Sequence, residues 1–65
     1  MNNYALELLE IALRNELIAQ EQGLAIANGM IGCYNEAGRQ AFLYSLDLAN
    51  ERIPQLEEAI KKISQ

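Results

Sequence analysis

The sequence predicts an all-α fold: an antiparallel helical hairpin, with helices at about 3–31 and 35–63, that assembles into a four-helix bundle or larger homo-oligomer. Three observations predict it. From Phe42 onward the apolar residues recur in alternating steps of four and three. The first half carries a looser stripe of the same period. Between the two lies NGMIGCYNEAG, residues 28–38, which holds three of the four glycines.

The second helix has the cleaner pattern: Phe42, Leu46, Ala49, Ile53, Leu56, Ile60 and Ile63. Such spacing keeps one stripe facing a partner helix. In the first helix the matching stripe is Leu6, Leu9, Leu13 and Leu17, then Gln20, Leu24, Ala27 and Ile31. Both halves are rich in Ala, Leu and Glu, which lose little on entering a helix. Gly32 stands where a helix commonly ends in a left-handed residue. Asn35 can cap the next helix, with Glu36 favourable in its first turn. The predicted connection is Gly32-Cys33-Tyr34, with fraying back to Asn28-Gly29, and so short a link joins antiparallel neighbours.

Across that turn, facing residues should have numbers adding to about 66. Leu24 then meets Phe42, Leu17 meets Ala49, Leu13 meets Ile53 and Leu6 meets Ile60, while Gln20 falls opposite Leu46 as the one mismatch. Pro54 removes a helical hydrogen bond, yet the apolar phase crosses it unbroken. A kink toward the partner helix is expected there, with a break into a separate short helix as the rival.

One partner helix needs one stripe, and the first helix carries more. Ala5, Ala12, Ala19 and Ile26 recur every seven residues, with Gly23 beside them and Tyr4, Leu8, Ile11 and Ile18 further round. Only Asn3, Glu7, Glu10, Arg14, Glu21 and Asn28 form a clearly polar strip. A helix apolar over more than half its circumference is buried on more than one side. The expected oligomer interface is therefore Leu8, Ile11, Ala12, Ile18, Ala19, Gly23 and Ile26. The rival is a monomer that leaves these residues in water, which is uncommon for patches of this extent.

Composition bounds the function. With 65 residues the chain is read as one domain, 1–65, with a marginal core. Cys33 is alone, so no internal disulfide forms, and a reducing, cytoplasmic setting is expected. The net charge of −4 argues against a DNA or RNA duplex as partner. No stretch has the length and apolarity of a membrane span, and the N-terminus lacks the pattern of a signal peptide.

The chemistry on offer is sparse. There is no histidine, hence no Glu-x-x-His motif of the kind that carboxylate-bridged bundle sites add, and no metal site or cofactor is expected. Cys33 has no neighbouring base to make it a nucleophile. Glu10 with Arg14, and Glu57 or Glu58 with Lys61 or Lys62, are spaced as surface ion pairs. No catalytic residue is assigned, and the protein is expected not to be an enzyme. One constellation remains at the turn end. Arg39 continues the second stripe backward into the first turn of its helix, where free N–H groups favour an anion. With Asn35, Gln40, Tyr34 and Tyr44 it would hold a small anionic ligand such as a nucleotide. The plainer reading pairs Arg39 with Glu36, its stem covering the bundle tip.

Residues 36–49, EAGRQAFLYSLDLA, resemble the start of the last helix in small phage proteins that sequester cyclic-nucleotide immune signals. That resemblance implies a homo-oligomer that traps a nucleotide messenger, with Arg39 as a phosphate contact. By size and architecture the chain is also similar to Rop-type helical-hairpin dimers, although an acidic chain lacks their basic RNA-binding stripe. The function expected is a small homo-oligomeric helical protein that docks or inhibits a partner protein, of the phage or mobile-element accessory type. The alternative is a sponge for a small anionic ligand at the turn end.

Overall fold

The first helix starts where Asn3 can cap it. In a computed structural model, which describes residues 3–30, 32 and 35–65, Asn3 is extended and its side-chain oxygen accepts the Leu6 N–H at 3.1 Å. Glu7 lies in the first turn, against the positive end of the helix dipole. This helix, α1, runs Tyr4–Ala27.

It ends about four residues earlier than the stripe alone predicts. The residue that turns left-handed is Gly29, with φ of 72°, and not Gly32. Around it the carbonyls of the last turn are satisfied in the Schellman pattern: Met30 N–H donates to the Ala25 carbonyl at 2.8 Å and Gly29 N–H to Ile26 at 3.1 Å. Asn28 and Gly29 are poor helix formers, and they supply this cap before the apolar phase runs out. Ile31, Cys33 and Tyr34 lie outside the described residues, and with them the expected Gly32-Cys33-Tyr34 turn.

The second helix, α2, runs Glu36–Ser64. As expected, Asn35 caps it, its side-chain oxygen accepting Gly38 N–H at 2.7 Å, and Glu36 sits in the first turn. Lys61 and Lys62 occupy the last turn, where the dipole favours cations. The helix is continuous through Pro54, so the break into two helices does not occur. Pro54 is exposed while its neighbour Ile53 is buried, so the proline ring faces water and the stripe keeps its phase.

The two helices pack along their length as a hairpin, a rod of 46 × 17 × 17 Å. Its radius of gyration is 14.3 Å, against about 11 Å for a compact chain of this length. Among the described residues the buried set is small: Ile26, Leu46, Ala49 and Ile53, with Gly23 among them. On α2 these are the predicted stripe residues. Phe42, by contrast, stays 40% exposed, because α1 has already ended near it, and Leu43 is half-buried instead.

The register differs from the predicted one. Gly23 lies against Leu46, the Gln20 side-chain amide donates to Asn50 Oδ1 at 2.9 Å, and Arg52 pairs with Glu16 at 3.2 Å. Facing residue numbers therefore add to about 69. The packed face of α1 passes through Leu9 and Leu13, which are half-buried, then through Glu16, Gln20, Gly23 and Ile26. Leu17 and Leu24, expected in the stripe, are 45% and 47% exposed. The reason is physical. In the predicted register the Gln20 amide would press on Leu46, whereas the observed register, shifted by three, lets it reach Asn50. Gly23, which has no side chain to obstruct, then receives Leu46. Gly23 and Ile26, expected at the oligomer interface, are thus buried within the hairpin itself.

A Cβ built on Gly23 would lie 2.5 Å from Leu46 Cβ and 3.3 Å from its Cα, both close to the backbone and unable to swing aside. Gly23→Ala should therefore lower stability by about 1 kcal/mol or more, the overpacking strain exceeding the gain in helix propensity. Thermal unfolding of Gly23→Ala alone and with Leu46→Ala checks this, the double variant being less impaired than the two single losses together.

Candidate functional site

The two sides of α1 are both apolar. Opposite the side that meets α2 stand Tyr4, Leu8, Ile11 and Ile18, exposed to 70%, 49%, 49% and 48%. At 100° per residue each lies within about 40° of Tyr4 round the helix, while Glu16, Gln20 and Gly23 lie about 100–160° away. Asn15, also exposed, falls in the middle of this outer stripe. Along one border Glu7, Glu10 and Arg14 surround Ile11 in a shallow depression of about 230 Å³. Along the other, an open groove of about 550 Å³ runs between the helices, lined by Ala12, Asn15, Glu16, Arg52, Gln55 and Leu56.

The groove is walled by the ion pair of Arg52 with Glu16, whose side chains are 54% and 19% exposed. Asn50 and Arg52 are two residues apart, hence about 200° round α2, so the Gln20–Asn50 and Glu16–Arg52 contacts flank the packed seam on opposite sides. Ala19, expected at the oligomer interface, is half-buried on the groove side, as is Ala12. Leu8, Ile11 and Ile18 remain open to water within one copy of the chain.

Of the turn-end constellation, Asn35 and Gln40 have hydrogen-bond partners within α2. Asn35 spends its side-chain oxygen on capping α2. Gln40 donates its amide to Glu36 Oε1 at 2.7 Å, the position that Arg39 was expected to take. Among the described residues no carboxylate lies within ion-pair distance of Arg39, which is half-buried. Tyr44 is 65% exposed and stands five residues from Arg39, about 140° round the helix, so the two side chains leave α2 in different directions. Tyr34 lies outside the described residues.

Elsewhere, Lys62 and Glu58 approach to 4.0 Å at the expected four-residue spacing. Among the described residues no three acidic or sulfur side chains converge as a metal site would require, and no helix is long and apolar enough to cross a membrane. The groove and the exposed Leu17 and Leu24 are features that reading the stripe alone does not disclose. The signal for both was Gln20: an amide inside an apolar stripe needs a polar partner, and Asn50 was the one in reach. What such a surface offers chemically is apolar contact with a narrow polar border.

No known protein-family model matches this chain, and no curated protein or solved structure is significantly similar to it.

Because Arg52 is half in water, its pair with Glu16 should contribute little. Arg52→Ala is expected to cost under about 1 kcal/mol, and molar salt should shrink that difference further. Urea titrations of both proteins at low and high salt measure it.

Proposed function

We propose that this protein is a non-enzymatic, self-associating helical protein that acts by docking on, and thereby inhibiting or adapting, a partner protein. The supporting observation is the outer stripe of α1, Tyr4, Leu8, Ile11 and Ile18, which one hairpin leaves in water. The buried core of that hairpin is small for a chain of any stability, and a second copy is the usual remedy at this size. A phage or mobile-element accessory role, cytoplasmic and without cofactor, fits this reading. With the outer stripe covered by another copy, Leu17, Leu24 and Phe42 remain as exposed apolar residues for a partner protein. Trapping of an anionic nucleotide has less behind it, because Asn35 and Gln40 are engaged within α2 and Tyr44 stands about 140° round the helix from Arg39.

Sedimentation velocity at micromolar concentration tests the proposal. The protein should run as a dimer or larger, and Ile11→Glu should weaken association at least about 30-fold, or about 2 kcal/mol, since a charge would be forced into an apolar contact. Leu17→Glu should leave the assembly intact. A compact, cooperatively folded single copy of the unaltered chain would overturn the reading, and so would equal dissociation by both substitutions.

A further inference from the structure

We propose that the second copy covers α1 through an antiparallel α1–α1 contact whose two-fold axis passes beside Asn15. This rests on the self-association proposed above and specifies its geometry. The area argues for a copy of the chain as the occupant. The chain exposes 5009 Å², about 20% more than a folded monomer of 7.3 kDa ordinarily exposes. That excess, about 800 Å², is what one partner loses in an interface of standard size.

A contact between identical copies uses the same patch twice, and a residue on the axis meets itself. Because α1 spans Tyr4–Ala27, its midpoint falls beside Asn15, and a contact centred there overlays the whole helix. The antiparallel sense follows from shape. Ala5, Ala12 and Ala19 line one flank of the stripe, while Ile11 and Ile18 lie toward the other. An antiparallel two-fold sets each flank against the same flank of the second copy, so alanine meets alanine and the backbones can approach closely, whereas a parallel pair would set the alanine flank against Ile11 and Ile18. It also sets the two helix dipoles head to tail.

Asn15 then has a task. Among the described residues its side-chain amide makes no hydrogen bond within the chain. An amide both donates and accepts, so Asn15 and the Asn15 of a second copy can bond reciprocally across the axis. A polar residue near the middle of an apolar stripe favours the register in which it meets a polar partner.

Disulfide trapping in the full chain, on a Cys33→Ser background, tests the geometry. Asn15→Cys should cross-link on oxidation. Mixed Leu8→Cys and Gln22→Cys proteins should form the mixed dimer about tenfold or more faster than Gln22→Cys alone cross-links to itself, because facing thiols react at a high effective concentration. Sedimentation of the reduced proteins reports assembly separately. Rapid self-linking of Gln22→Cys would mean a parallel pair and overturn the inference while self-association stood. An oligomer in which Asn15→Cys stays unlinked would place the contact on another face, with the same consequence. A monomer under reducing conditions would overturn both.

Discussion

The seat of Leu46 on the bare backbone of Gly23 is the constraint from which the rest of the hairpin follows. No side chain stands between the two helices there, since even a methyl group would clash with Leu46 Cβ. Ala49, one turn further along α2, is fully buried, so the helices stay close over that stretch. Close approach restricts which residues can face inward. Glycine and alanine fit, and a leucine at position 24 or 17 does not need to. The packed face of α1 accordingly runs along Gly23, Gln20 and Glu16, and the larger side chains turn to the flanks.

Two polar contacts make that choice specific. Apolar stripes of this kind slide past one another at modest cost, since leucine meets isoleucine in several registers. The Gln20–Asn50 hydrogen bond and the Glu16–Arg52 ion pair stand on either side of the seam and are made together in only one of them. Each is half in water and adds little to stability. Their value is in what they exclude, because any other register leaves an amide against an apolar side chain.

The helices themselves were legible in the sequence, as were the caps by Asn35 and the passage of α2 through Pro54. Each depends on residues near in sequence, and the propensities and capping chemistry act locally. The stripe of α2 was legible for the same reason, with Leu46, Ala49 and Ile53 as its buried centre. What was misread needed a comparison between helices. Gln20 was treated as a blemish in the stripe of α1 when it marked the register, and the cost was Leu17 and Leu24 placed inside. Gly32 was preferred to Gly29 because the apolar phase persists to Ile31, while the Schellman bonds of Ala25 and Ile26 close the helix sooner. At the turn end, Asn35 caps α2 and Gln40 bonds Glu36, contacts local to the helix, while Tyr34 lies outside the described residues.

The two helices are unequal outside the seam, and that inequality decides how the hairpin presents itself. The outward residues of α2 include Asp47, Glu51, Glu58 and Lys61, all exposed, a face at ease in water. The outer stripe of α1 is apolar, bounded by Glu7, Glu10 and Arg14 on one border. In the proposed assembly α1 would be the inner helix and α2 the outer one. The acidic border works in the same direction, since burying Glu7 and Glu10 against the same residues of another copy would set like charges together without water. The sector through Leu8 and Asn15, between that border and the alanine flank, is the part of α1 that can be covered without such a penalty. The face proposed for self-association is thus set by where the chain's charges cannot go as much as by where its leucines can.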